Sequence, residues 1–218
     1  MIPTIDRDAV TTLHLVRHGQ SARVAGDPGL TAAGREQARR TALALRTAGV
    51  SVLYASPLCR AQETAAIIAA ELGLAVATDP RLRERANWGD DPRQPLEAFL
   101  AMWGRASRER DWAPPVGDSA RAAGARLHAF LREAVARHPG GQIAAVAHNG
   151  VIGDWLIAQY PPDYLAARHP QWGAVGDDVL RYCTITTVTC AARGDADPCG
   201  GGNSACEVTA LGSDAHLA

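Results

Sequence analysis

The chain's 218 residues, 47% of them hydrophobic, supply enough apolar material for one large domain, expected to span 1–218. Its 22 basic and 23 acidic residues leave a net charge of −1, which excludes a general electrostatic attraction to nucleic acid or acidic membrane. Every basic residue is arginine, and a chain without lysine has no Schiff-base, pyridoxal or phosphate-loop lysine to offer.

No apolar run reaches the ~18 residues of a membrane span. Met1 to Val10 mixes acids with a proline, unlike a signal peptide. Five cysteines without paired metal-ligand spacing then suggest reduced thiols in a cytoplasmic protein. Cys190, Cys199 and Cys206 do lie close together in sequence.

Residues 12–16 form a first buried strand that ends in Arg17-His18-Gly19, delivering a cation and an imidazole to the crevice beyond the strand ends, where open α/β sheets bind ligands. Gly19 permits a tight turn and close approach of a ligand to the backbone. A polar loop over 20–29 leads to Thr31, a helix N-cap. The helix that follows carries Arg35, Arg39, Arg40 and Arg46 on a solvated face, buries Ala38, Leu43 and Leu45, and stops at Gly49. Val50 to Ala55 is a second strand. Ser56-Pro57 reads as an N-cap followed by the first helical position, which puts Arg60 in the first turn, beside backbone N–H groups that favour an anion. Residues 74–77 are a short third strand.

Residues 78–118 change character. They hold Trp88, Trp103 and Trp112, with many Pro, Arg and acidic residues, and read as an excursion that covers the crevice and includes a helix over 96–108. Trp88 and Trp103 read as core. The Arg-rich stretch from Arg81 to Arg93 leaves room for a second anionic group on a substrate. A helix with Leu127, Phe130, Leu131 and Val135 on its buried side returns over 119–137. Ile143 to Ala147 is a central strand ending in His148-Asn149-Gly150, and an apolar helix follows. Residues 160–178 read as loop, 195–204 as a flexible Gly-rich turn, and about 180–212 as a closing hairpin.

Three strand ends thus converge: Arg17-His18, Ser56 to Arg60, and His148. Glu84, in Leu82-Arg83-Glu84, adds one carboxylic acid from the excursion. Together these groups suit phosphoryl transfer through a covalent histidine. A neutral imidazole nitrogen is nucleophilic near pH 7. Arg17 and Arg60 offer planar forks matched to phosphoryl oxygens, His148 offers a further donor, and Glu84 an acid and base for the leaving oxygen and the incoming water. The two guanidiniums neutralise the phosphate, so neither metal nor cofactor is required.

The ordered set LVRHGQS, LTAAGREQA, SPLCRAQETA, LRE and AVAHNGVI resembles the histidine phosphatase, or phosphoglycerate mutase-like, superfamily over residues 11–217. The resemblance implies a three-layer αβα sandwich around a mainly parallel sheet. It makes His18 the phosphoacceptor, puts Arg17, Arg60 and His148 in the phosphate pocket, and assigns Glu84 as acid/base. Asn149 stands where many members have Gly, and Ala22-Arg23-Val24 stands where mutase-like members often have Trp-Asn. Gln20, Ser21, Arg23 and Asn149 join the substrate-binding candidates. The expected activity is hydrolysis of a small organic phosphomonoester, with a phosphomutase or a non-catalytic phosphate-binding module as alternatives. The expected partner is a small phosphorylated molecule, not nucleic acid or membrane, and the sequence does not indicate an oligomeric state.

Overall fold

The computed structural model describes residues 10–169, 171–173, 179–191 and 206–218. The 195–204 turn expected from sequence lies outside them. Six strands form one sheet: β1 (Val10–Arg17), β2 (Val52–Ala55), β3 (Val76–Thr78), β4 (Gln142–Ala147), β5 (Ile185–Ala191) and β6 (Cys206–Ser213), in spatial order β3-β2-β4-β1-β5-β6. The β3-β2-β4-β1 half is parallel, and β5 and β6 add to it antiparallel.

Alternation along the two central strands explains the layers. Leu13 and Leu15 of β1, with Ile143 and Ala145 of β4, join one apolar cluster. Val16, Ala144 and Val146 face the opposite way into another. Strands buried on both faces need cover on both. On one face lie α1 (Ala32–Thr47) and α2 (Cys59–Leu72); on the other lie α4 (Ala120–Arg137) and α5 (Asn149–Gln159), bringing Phe130, Leu131, Ile152 and Trp155. This is the expected sandwich.

Local signals set most element ends. Thr31 Oγ1 accepts the Gly34 N–H at 3.1 Å and starts α1, and Gly49 leaves its far end at φ +72°. Ser119 caps α4 in the same way. The helix α3 (Leu96–Arg108) occupies the predicted span.

Four expectations need correction. Leu43 is exposed and Thr41 and Ala42 are inside instead, because α1 turns its small residues to the sheet. Within 160–178, Pro162–Arg168 forms a helix, α6, started by proline at its first positions. The cysteines are not all reduced thiols: the β5–β6 register sets Cys190 opposite Cys206, and the two form a disulfide, leaving Cys59 and Cys183 as free thiols among the described residues. Cys199 lies outside those residues. Finally, α2 begins at Cys59, with Leu58 at the N-cap position, not at Ser56-Pro57. No helix of the described residues is long and apolar enough to cross a membrane.

Candidate active site

The strands β2, β4 and β1 are neighbours in the sheet, so their carboxyl ends sit side by side. Backbone hydrogen bonds extend the ladder past them: His18 N donates to Ala147 O at 3.0 Å and Ser56 N to Val146 O at 2.9 Å. Register alone therefore brings His18, Ser56 and His148 to one edge. The chain then turns sharply after His18. A Cβ on Gly19 would stand 2.6 Å from the Gly34 carbonyl oxygen, so the glycine admits the first turn of α1, whose approach makes the bend possible. Gly19 N donates to Thr64 Oγ1 of α2 at 3.0 Å, fixing the other side.

His18 and His148 are both buried, with ring centroids 5.1 Å apart. His18 Nδ1 lies 2.8 Å from the Gly19 carbonyl, an acceptor only, so Nδ1 carries the hydrogen and Nε2 holds the lone pair. Arg60 Nε donates to that Nε2 at 3.1 Å. Burial, then the Arg60 and Arg17 charges, hold the His18 pKa well below the ordinary histidine value, and the ring is neutral. His148 is held neutral by burial first, then by Arg60, His18 and Arg17. Its Nε2 lies 2.7 Å from Ser56 Oγ, while its buried Nδ1 has no hydrogen-bond partner among the described residues. Ser56 thus serves His148 and accepts the Leu58 N–H at 3.3 Å, instead of capping the helix as its N-cap.

The guanidiniums are held as firmly. Arg60 Nη1 donates to Asn87 Oδ1 at 2.9 Å and stands 3.8 Å from Asp27 Oδ1. Arg17 donates to the Leu180 carbonyl and lies over the Tyr182 ring, 4.1 Å from its centroid. Tyr182 is put there by Cys183, a buried residue at φ +58° whose N–H donates to the Arg17 and His18 carbonyls at 3.0 and 3.3 Å. A left-handed non-glycine of this kind costs free energy and is kept by such ties.

Glu84 is buried against the start of α5. Its Oε1 accepts from Arg85 N and Val151 N at 2.9 and 2.8 Å, and its Oε2 from Gly150 N at 2.9 Å. A Cβ at Gly150 would lie 2.5 Å from Glu84 Oε1 and 2.6 Å from the Trp103 ring, so the glycine makes room for the carboxylate. Arg85 also donates to both Asp154 oxygens at 3.0 and 3.1 Å, in a buried pair that ties the Glu84 segment to the body of α5. Burial pushes the Asp154 carboxyl up to about 6 against the pull of Arg85 and Arg110.

Arg17, His18, Arg60, Glu84, Ser21, Arg23 and Asn149 line one cavity of about 480 Å³. His148 sits behind His18, with no exposed surface of its own. Two candidates are left out of the lining: His148, expected in the phosphate pocket, stands one layer behind it, and Gln20 turns away, its side-chain oxygen accepting from Thr31 Oγ1 at 3.0 Å and reinforcing the start of α1. Two backbone N–H groups expected to face an anion are also occupied, Leu58 N by Ser56 and Cys59 N by Asp27 at 2.9 Å. Trp88 and Trp103 are half-buried cavity walls, not core.

Sequence reasoning missed Asn87, Tyr182, Asp27 and Thr64. Each acts through a partner 15 or more positions away, and none sits in a local pattern that announces it.

A neutral nucleophilic nitrogen, two fixed guanidiniums, a second imidazole and a carboxylate are the components of a phosphoryl-transfer site. Comparisons with known proteins bear on the family. The curated protein named probable phosphoglycerate mutase GpmB from Yersinia enterocolitica is 34% identical over 157 residues, covering 64% of this chain and 70% of its own. Among solved structures, a protein titled mycobacterial hydrolase 1 shares 25% identity at a TM-score of 0.68, covering 93% of this chain and 98% of its own. Mycobacterial glucosyl-3-phosphoglycerate phosphatase, solved with VO3, shares 26% at a TM-score of 0.66, covering 93% and 99%. The family model of the histidine phosphatase superfamily (branch 1) matches residues 13–169, and with that match the chain belongs to this superfamily.

Proposed function

We propose that the protein is a phosphomonoesterase that works through a phosphohistidine on His18. The observation that carries this reading is the tautomer: with Nδ1–H held by the Gly19 carbonyl, the Nε2 lone pair meets Arg60 inside the cluster at 3.1 Å.

In the first step the Nε2 lone pair attacks phosphorus and the P–O bond to the leaving group breaks. Glu84 gives its proton to that oxygen, releasing the alcohol. In the second step water attacks the phosphoryl group and returns a proton to Glu84; the P–N bond breaks and inorganic phosphate leaves. Arg17 and Arg60 stabilise charge on the non-bridging oxygens throughout. His148 Nε2 and the Ser56 hydroxyl share a hydrogen bond at 2.7 Å; with the hydroxyl as its donor, Nδ1–H is the group His148 contributes. Asn149 and Ser21 complete the rim, and the two guanidiniums supply the positive charge a metal would otherwise bring.

The names of the curated relatives favour a second reading, transfer of the phosphoryl group back to a phosphoglycerate. Against it stands Ala22-Arg23-Val24 at the position of the mutase-like Trp-Asn pair. The solved phosphatase relatives, which match over nearly their full lengths, support hydrolysis.

A phosphate-release screen over sugar phosphates, phosphoglycerates, nucleotides and phosphoamino acids tests the reading. Release by the wild type and its loss in His18→Ala are expected. A His18→Ala enzyme that kept more than about 5% of the rate would overturn the nucleophile assignment, since loss of a covalent nucleophile costs orders of magnitude. Isomerisation of a phosphoglycerate with a bisphosphate primer, without phosphate release, would establish the mutase instead.

A further inference from the structure

The cavity continues past the phosphate cluster to a wall made by α3 and the loop after His18. On α3 the residues Leu96, Phe99, Leu100 and Trp103 recur at i, i+3, i+4 and i+7, one apolar stripe of a helix. Such a stripe ordinarily faces the core. Here Ala106 is the one buried residue of the helix, and the stripe faces the cavity instead, with Leu96 and Leu100 44% and 57% exposed. Val24, 55% exposed, and Trp88 add apolar lining.

Apart from Arg23, the polar lining groups named here belong to the phosphate end. Asn87 is bound to Arg60, Asn149 follows His148, and Ser21 lies on the His18 loop. The second anion site that the sequence allowed from Arg81 to Arg93 is absent from this wall. Arg81 is taken by Asp79 and Glu133, Arg83 by Asp90, Arg85 by Asp154 and Arg93 by Asp91, and none of the four lines the cavity. Among the described residues the lining holds one more guanidinium beyond Arg17 and Arg60, the exposed Arg23.

From this we infer that the enzyme's preferred substrates are phosphomonoesters of apolar alcohols, alkyl or aromatic, whose leaving group lies along the Leu96–Trp103 face of α3. The inference rests on the phosphatase reading and names the substrate class of that site. A carboxylate-bearing ester would lay its charge against leucine and tryptophan and lose solvation without gaining a buried partner. An alkyl chain would cover the stripe and release water from both.

The test is a series of primary alkyl phosphates, ethyl, butyl and hexyl, with 3-phosphoglycerate and phosphoserine beside them. The alkyl esters share a leaving-group basicity, so changes in kcat/KM report binding of the chain and not bond reactivity. The expected result is a rise of about two- to four-fold per methylene, the upper figure being the transfer free energy of one fully buried CH2. Hexyl phosphate should then exceed 3-phosphoglycerate by at least about ten-fold. The double variant Leu96→Asp/Leu100→Asp changes two exposed positions, so the core is untouched; it should flatten the series to less than about 1.5-fold per methylene. A flat or falling wild-type series, a carboxylate ester at the top, or an unchanged slope in the double variant would each overturn the inference while phosphate release itself upheld the phosphatase reading. No release from any ester would defeat that reading and this one with it.

Discussion

Along the carboxyl edge of β1, β2 and β4, the side chains proposed to do the chemistry are tied to protein atoms. Gly19 orients His18, Asn87 and Asp27 hold Arg60, Tyr182 lies beneath Arg17, Ser56 holds His148, and three backbone N–H groups hold Glu84. The facing wall, α3, has one buried residue and presents leucines to the opening. The difference separates two demands. Charge stabilisation works through groups that need no rearrangement at the moment of reaction, whereas a leaving group of variable shape is served by non-directional apolar contact.

The comparison breaks most readily at the chemical end. His18→Ala should lower turnover by at least about 10⁴-fold, read as steady-state phosphate release, because removing the nucleophile removes the two-step route. Next comes the buried tie between the Glu84 segment and α5. Arg85→Met leaves Asp154 buried without its main partner and should cost roughly 3–5 kcal/mol in urea denaturation. Adding Asp154→Leu should recover most of that, since the stranded charge is then gone. Arg60→Ala follows, with a loss of about 10²- to 10³-fold in kcat. Arg60→Lys should recover only part, because one ammonium cannot meet His18 and Asn87 together.

The buried histidines predict a pH dependence of stability. His18 and His148 have pKa values held below the ordinary 6.5 by burial first and by the neighbouring guanidiniums second. Between their folded values and 6.5 the unfolded chain binds more protons, so the histidine contribution is full above about pH 6.5 and falls as the pH drops, opposed below about 6 by Asp154, whose raised carboxyl pKa makes the folded chain the stronger proton binder. The slope is at most about 1.4 kcal/mol per pH unit for each histidine. His18→Asn should remove one such contribution from a series of melts, and an unchanged slope would contradict the assignment of a neutral ring. The smallest effect belongs to the apolar wall. Leu100→Ala should change stability by no more than about 0.5 kcal/mol, whereas Leu127→Ala, inside α4, should cost about 2–5 kcal/mol.

Much of this arrangement was readable before the structure, for a physical reason. Apolar runs ending in His18 and His148, and caps such as Thr31 and Ser119, are local signals whose meaning survives folding. They place the elements, and parallel neighbours then bring the strand ends together. What was not readable depends on distant partners. Gln20 resembles a phosphate contact until Thr31 claims it, and Leu43 reads as core until α1 is seen to turn Ala42 inward. Trp88 and Trp103 read as core because side-chain type alone does not say whether an apolar face meets the sheet or a cavity. The Cys190–Cys206 bond depends on a hairpin register that spacing alone does not specify.

The central claim is the covalent step at His18, and trapping it is the most direct test. Wild-type enzyme is mixed with ³²P-labelled hexyl phosphate, quenched in alkali within the first turnovers, and digested for peptide mapping. The account predicts an acid-labile, alkali-stable label on Nε2 of His18, absent from His18→Ala. Label on any other side chain, or steady hydrolysis with no phosphoenzyme at any quench time, would contradict it.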